Sequence, residues 1–393
     1  MQLKRFTTVI YFFSFISVGL IGGALGPSLP SFAANTGSSL KQLSNLFIFS
    51  SLGFVVGSFM AGRFLHSIPG HRILALAIVM MIAGVVFLPV IDILWVLVLV
   101  FFLLGIAQSN LDVSENTLII WLHGKNVAPY MNGLHFFFGL GSFMAPLIIA
   151  QSLSLTNTIT AGFWFMAFLI LLPLPFLLRL PSPANPEHNP DHFHNQKQAN
   201  SSLAIFLLIL LFFGVAGAEV TFGNWIYTYS LTGGFGNAQQ SAYLNSGFWA
   251  TFTTARLLGI FISRQITART MIWIDLFGSA SAMLILLFFP TSEIMLWAGV
   301  LICGLFMATT FPTALNLAER LGATSGKITS LFFISSSVSS MISPWVVGQF
   351  IENHGIGVLP WAVLVNQGIA ILFLAFITLK YWKQTSSISS FTV

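Results

Sequence analysis

The chain alternates between long apolar runs and short polar connections. A helix needs about 20 mostly apolar residues to cross the ~30 Å hydrocarbon core of a bilayer. Twelve runs reach this length, and the short connections predict that consecutive helices form antiparallel hairpins. The predicted spans are 6–33, 41–65, 71–90, 93–122, 128–155, 159–179, 201–231, 238–263, 270–289, 293–319, 325–350 and 358–382.

One long polar segment, 180–202, divides these spans into six and six. We therefore predict an N-terminal six-helix bundle over 1–180, a cytoplasmic linker over 181–200 and a C-terminal six-helix bundle over 201–393. The linker contains His188, Asp191, His192 and His194, which is a composition also found in metal-binding tracts. A solvated linker is the simpler interpretation of this polar segment, and no metal site is predicted.

The two halves resemble a diverged repeat. Polar and helix-bending residues recur about half a chain apart: Gly141 and Pro146 correspond to Ser339 and Pro344, Asn116 to Asn316, and Asn45 to Asn245. The predicted fold class is all-α and integral to the membrane, with twelve transmembrane helices in two pseudo-symmetric six-helix bundles. Parallel repeats of this kind are typical of transporters that bind their solute near the middle of the membrane.

Composition excludes a soluble protein. Hydrophobic residues make up 56% of the chain and charged residues only 6%, against roughly 25% charged residues in soluble proteins. The mean hydropathy is +0.89. The basic residues are scattered, so the excess of positive charge does not indicate a nucleic-acid partner. The single cysteine, Cys303, excludes an intrachain disulfide.

The basic residues predict the orientation in the membrane. With the N-terminus inside, every Lys and Arg except Lys41 and Arg256 falls in a cytoplasmic segment. This bias follows the positive-inside rule. We expect a multi-pass protein of the cell inner membrane with both termini in the cytoplasm.

Three acidic residues lie inside the predicted spans: Asp112 and Glu115 in the fourth and Glu219 in the seventh. Each costs at least ~2.5 kcal/mol at the centre of a bilayer, so such residues face an internal, water-accessible path. Gln108, Asp112, Glu115 and Asn116 fall at i, i+4, i+7 and i+8, which places them on one face of the fourth helix. The acids are candidate sites for a coupling H⁺ or Na⁺. The alternative is a polar network that only braces the helix.

Two further ionisable residues lie at a depth similar to that of these acids. His135 in the fifth span is as far from the intervening turn as Glu115, which predicts a contact with Glu115 or Asp112. Arg256 in the eighth span needs an anionic partner, for which Asp112, Glu115 and Glu219 are candidates. Either residue can serve the transport cycle or have a structural role alone.

The seventh span places polar groups beside aromatic rings, the combination that binds sugars. Carboxylate and amide groups bind hydroxyls, while rings cover the C–H faces; the alternative for Trp225 and Tyr227 is an interfacial position. Gly217 and Gly223 are predicted to permit local unwinding of this helix. The candidate substrate ligands are Gln108, Asn116, Glu219, Asn224, Trp225, Tyr227, Asn245 and Trp249.

Three segments carry a family resemblance: GAEVTFGNWIYTY, FWATFTTARLLG and LDVSENTLIIW with LHFFFGLGSFMAP. They resemble the sodium-dependent glucose transporter-like branch of the major facilitator superfamily, which is related to the fucose permeases. The resemblance implies sugar transport coupled to Na⁺ or H⁺, with Asp112, Asn116 and Glu219 as ligands. Glu115 stands where the branch has a small residue, and the first span lacks the acid of the fucose permeases.

The expected function is secondary active transport of a small polar solute, most simply a hexose-type sugar, by alternating access and symport with H⁺ or Na⁺. The expected partners are this small molecule and the lipid bilayer, with no nucleic acid, and the expected state is a monomer. We expect no enzyme activity, no catalytic residue and no cofactor other than the coupling ion. The alternatives are a proton-driven drug or metabolite exporter of the same fold and a membrane receptor that does not transport.

Overall fold

The computed structural model describes residues 2–65, 67–184, 202–323 and 326–385. These residues form long helices, which confirms the all-α prediction. The long helices are α1 Gln2–Thr36, α2 Asn45–Phe64, α3 Gly70–Phe87, α4 Leu94–His123, α5 Ala128–Thr156, α6 Thr160–Leu171, α7 Ser202–Thr232, α8 Ala238–Ile262, α9 Ala268–Phe288, α10 Glu293–Met307 with its second part Thr310–Arg320, α11 Gly326–His354 and α12 Val358–Lys380. Short helices precede α2 (Leu40–Leu43), follow α6 (Leu174–Arg179) and end the described chain (Trp382–Thr385).

Eleven of the described helical segments are long and apolar enough to cross a membrane. The remaining long helix, α8, has 25 residues, about 37 Å at 1.5 Å per residue. Its polar residues, among them Gln239, Gln240 and Asn245, lower its hydropathy. Large apolar side chains such as Phe59 and Phe288 (both 74% exposed) cover the outside of the helices, as a lipid-facing surface requires.

The helices group into two compact units. One consists of Met1–Phe193 and Gly236–Ser246, so it includes the start of α8; the other consists of His194–Phe235 and Gly247–Val393. The predicted linker lies mostly in residues 185–201, and its histidines and Asp191 are outside the described residues. The proposed bundle boundaries of 1–180 and 201–393 stay a prediction.

Glycines bring helices into close contact within each unit. In the first unit, a Cβ on Gly53 of α2 would collide with the backbone of α4 at Phe102, and one on Gly105 of α4 would collide with the backbone of α2 at Ser50. Gly19 of α1 and Gly141 of α5 meet in the same way. Small residues allow this approach in membranes, where backbone packing replaces the hydrophobic effect.

We predict that Gly53→Ala destabilises the first unit by about 1–3 kcal/mol, because the added methyl group has no space against the α4 backbone. The thermal unfolding midpoint of the purified protein should fall. Gly62→Ala is the matched control, since a Cβ at Gly62 of the same helix meets nothing within 4 Å. An equal response to the two substitutions would contradict the close packing of α2 on α4.

The predicted unwinding of α7 is wrong for this structure, because α7 is a continuous helix. Gly217 faces the side chains of Ser339, Ser343 and Asn366, and Gly223 lies against the Trp249 ring. Both glycines therefore provide room for neighbouring helices. The serines of α11 contribute to the same contact, with Ser343 3.0 Å from the Asn366 amide oxygen.

Candidate functional site

The polar face of α4 predicted from the sequence forms in the first unit. Asn116 donates from Nδ2 to the Asp112 carboxylate at 2.8 Å and to the Asp112 carbonyl at 2.9 Å. Gln108 donates from Nε2 to the Val18 carbonyl of α1 at 3.0 Å. Gln108, Asp112 and Asn116 are all partly exposed. Asp112 thus retains access to solvent while Asn116 fixes its orientation.

Glu115 lies on the same helix but is fully buried, at 0% exposure. Its Oε1 forms a hydrogen bond with the Ser14 hydroxyl of α1, and its Oε2 has no hydrogen-bond partner among the described residues. The Asp112 carboxylate interacts electrostatically with Glu115. A buried ionised carboxylate without a cation costs several kcal/mol. Glu115 is therefore suited to gain and lose a proton.

His135 of α5 is partly exposed and packs its ring edge-on against Phe15, with 5.7 Å between ring centroids. The partner described for Glu115 is Ser14 of α1, and the partner described for Asp112 is Asn116. The predicted contact of His135 with one of these acids stays a prediction.

In the second unit, Glu219 of α7 and Arg256 of α8 interact electrostatically. Glu219 is one of the three acids predicted as partners of Arg256. The guanidinium also lies over the Phe252 ring, 4.6 Å from its centroid, a favourable cation–π geometry. Both charged side chains are partly exposed.

Arg256 also binds a break in α10. Pro312 has no N–H, so the carbonyl four residues earlier, that of Ala308, loses its helical partner. The helix is interrupted at Ala308 and Thr309, and Arg256 donates from Nε to the freed Ala308 carbonyl at 3.3 Å. Arg256 therefore connects Glu219 of α7 to the discontinuity in α10.

Asp275 of α9 is a fourth membrane-embedded acid, and the sequence analysis missed it. It is 5% exposed, and its Oδ2 accepts a hydrogen bond from Thr309 at 2.6 Å. Thr310 is a second hydrogen-bond partner. Asp275 thus binds Thr309 and Thr310 at the α10 break, where Arg256 binds the Ala308 carbonyl. Its position inside the predicted span 270–289 was the signal that should have identified it.

The structure gives the candidate substrate ligands two different environments. Gln108, Asn116, Glu219 and Asn224 are partly exposed. Four others, Trp225, Tyr227, Asn245 and Trp249, are buried, at 0%, 2%, 0% and 7% exposure. Trp225 donates its indole N–H to the Pro344 carbonyl at 2.9 Å, so it lies neither on an open surface nor in an interfacial belt. These four side chains are buried among the helices in this structure, and their role as substrate ligands stays a prediction.

Together, these features define a class of protein. Membrane-spanning helices carry acids paired with an amide, a hydroxyl or a guanidinium, and a proline-linked break interrupts α10. No group of three or more His, Cys, Asp or Glu side chains suited to a metal ion occurs within the described ranges. Broken helices and acids inside the membrane are typical of solute transporters.

The chain belongs to the Major Facilitator Superfamily, whose model matches residues 8–344. It is 28% identical over 354 residues to sodium-dependent glucose transporter 1 of Xenopus laevis, covering 82% of this chain and 72% of that protein. The human protein of the same name is 28% identical over 373 residues, covering 85% and 71%. These comparisons confirm the family predicted from the sequence and identify a multi-pass membrane transporter, not an enzyme.

Solved structures support the same fold. The nucleoside transporter NupG matches with a TM-score of 0.72 at 13% identity, over 97% of this chain and 99% of that one. A bacterial homologue of the human lysosomal transporter Spinster, in an inward-facing and occupied conformation, matches with a TM-score of 0.70 at 14% identity, over 97% of both chains. At these identities the likeness concerns the fold alone.

Proposed function

We propose that this protein is a secondary active transporter of a hexose-type sugar, coupled to H⁺ or Na⁺ and working by alternating access. The observation that carries the proposal is the set of partly exposed acids and amides on α4 and α7. Asp112 and Asn116 are hydrogen-bonded to each other on α4, and Glu219 and Asn224 are both partly exposed on α7. Oxygen and amide groups of this kind bind sugar hydroxyls, and the names of the relatives agree with a sugar substrate.

The coupling residues that we propose are Asp112, Glu115 and His135 in the first unit and Glu219 and Arg256 in the second. Asp112 and Glu219 are accessible, whereas Glu115 is sealed within α1 and α4. This difference favours separate roles, in which the accessible acids contact solute or ion and Glu115 holds a proton. The basic residues favour an orientation with both termini in the cytoplasm. We propose symport into the cell across the inner membrane.

Thermal unfolding of the purified protein with single sugars, at several pH values and with or without Na⁺, tests the proposal. A ligand present at 100 times its Kd stabilises the folded state by about 2.7 kcal/mol, so a bound hexose should raise the midpoint. Asp112→Asn should weaken this effect. Stabilisation by hydrophobic cations and by none of the sugars would instead favour the exporter function.

A further inference from the structure

One face of α1 carries three hydroxyl side chains that contact two other helices of the first unit, α3 and α4. Thr8, Tyr11 and Ser14 are spaced by three residues and are all buried. Their partners also lie inside the bundle. Thr8 bonds His123 of α4, Tyr11 bonds His71 of α3, and Ser14 bonds Glu115 of α4.

The tautomer of His71 follows from its two contacts. Its Nδ1 is 2.9 Å from the Leu180 carbonyl, which can only accept a hydrogen bond, so Nδ1 carries the proton. Nε2 is therefore an acceptor, and it receives the Tyr11 hydroxyl proton across 2.7 Å. Tyr11 thus donates to His71, and His71 in turn donates to the Leu180 carbonyl.

Glu115 lies at the inner end of this arrangement. The Tyr11 hydroxyl interacts electrostatically with the Glu115 carboxyl, and Ser14 bonds Glu115 directly. The single Ser14 proton has another acceptor in the Ile10 carbonyl at 3.0 Å. When Ser14 donates its proton to the Ile10 carbonyl, the Ser14 oxygen can only accept a hydrogen bond from Glu115. The Glu115 carboxyl must then be protonated and act as the donor. The site therefore accommodates a Glu115 that carries its proton.

The outer end of the arrangement reaches the surface. His71 is in the first turn of α3 beside Arg72, and the segment after α6 covers it through Leu180 and Ser182, both partly exposed. Ser182 accepts the His71 backbone N–H at 3.4 Å. Among the described residues, Tyr11 is the titratable group that contacts the His71 ring. Asp112, on the same helix as Glu115, interacts electrostatically with it. The segment after α6 presents the Leu180 carbonyl and the Ser182 hydroxyl to His71.

We propose that Tyr11 and His71 form the path by which Glu115 releases its proton at the end of the bundle where α3 begins. Glu115 passes a proton to the oxygen of Tyr11, the hydroxyl with which its carboxyl interacts electrostatically. The Tyr11 proton moves to Nε2 of His71, and the Nδ1 proton leaves to water at Leu180. One proton is lost from the carboxyl and one hydronium is formed. Loss of the Nε2 proton and uptake of a proton at Nδ1, both exchanged with water, restore the first tautomer.

This inference rests on the proposed transport function, and two assays separate them. Proteoliposomes containing the full chain are tested for exchange of radiolabelled D-glucose across the membrane, which needs no net proton release. They are also tested for uptake driven by a pH gradient. Tyr11→Phe and His71→Gln should retain exchange within about 2-fold and lose about 10-fold or more of driven uptake. This threshold is set below the roughly 10²- to 10⁴-fold contribution of a general acid or base.

The Thr8–His123 pair provides the matched control. It joins α1 to α4 by the same hydroxyl–imidazole contact, at 2.8 Å, and His123→Gln should preserve both activities. Driven uptake in Tyr11→Phe and His71→Gln equal to that of the unaltered protein would overturn the path. Loss of exchange and driven uptake to the same extent would also overturn it, because it indicates a structural role. Uptake coupled to Na⁺ with no proton movement would reject the path while the transport function stands.

Discussion

Replacing Glu115 by glutamine is expected to abolish ion-driven accumulation of sugar while sugar exchange continues. Glutamine has the shape of the protonated carboxyl and can still bond Ser14, so the helices should stay packed. It cannot release a proton, however, and the carrier then moves sugar only down its gradient. Accumulation in proteoliposomes should fall to the equilibrium level, and the dependence of uptake on the pH gradient should disappear.

Glu293→Gln is the control for this prediction, because Glu293 is exposed in the first turn of α10. It removes the same charge at a position outside the buried network and should leave accumulation unchanged. Undiminished accumulation in Glu115→Gln would show that another group carries the coupling ion. A collapse of the thermal unfolding midpoint would assign Glu115 to the structure alone.

Replacing Glu219 by glutamine is expected to weaken sugar transport by about 10- to 100-fold. A hydrogen bond from a sugar hydroxyl to a carboxylate contributes about 1.5–3 kcal/mol, which corresponds to that factor in affinity. The substitution also removes the Glu219 negative charge that interacts with the Arg256 guanidinium. Because both side chains are partly exposed, this should cost about 1–3 kcal/mol of stability, between the values for surface and buried pairs.

The double variant Glu219→Gln/Arg256→Gln separates the two effects. It removes both charges, so the thermal unfolding midpoint should recover relative to Glu219→Gln alone, a coupling that the mutant cycle measures. Sugar uptake should not recover, because the carboxylate ligand is still absent. Recovery of uptake in the double variant would mean that Glu219 serves only to neutralise Arg256.

The fold was largely predictable from the sequence, because the bilayer imposes a simple rule on length and hydropathy. The broken helix was harder to predict. By length and hydropathy the predicted span 293–319 is a single crossing. Its interruption at Ala308 depends on Pro312 and on whether a partner exists for the freed carbonyl. That partner, Arg256, lies on another helix. Contacts between helices cannot be read from the hydropathy of a single helix.

The candidate site was predicted in part. The shared face of α4 follows from helical spacing alone, so Asp112 and Asn116 lie together as expected. Trp225 and Tyr227 look like sugar-binding aromatics in sequence, yet neighbouring helices bury both of them. Tyr11 and His71 were not identified at all. Neither residue is unusual in its own segment, and their role depends on a contact between α1 and α3.

Gradient-driven uptake of radiolabelled D-glucose into proteoliposomes is the most direct test of the central claim, which is sugar transport coupled to an ion through membrane-embedded acids. The account predicts that an inward gradient of H⁺ or of Na⁺ accumulates glucose above equilibrium, and that Glu115→Gln and Glu219→Gln each suppress accumulation. Failure of both gradients to drive glucose or any other hexose into vesicles that contain correctly folded protein would contradict it.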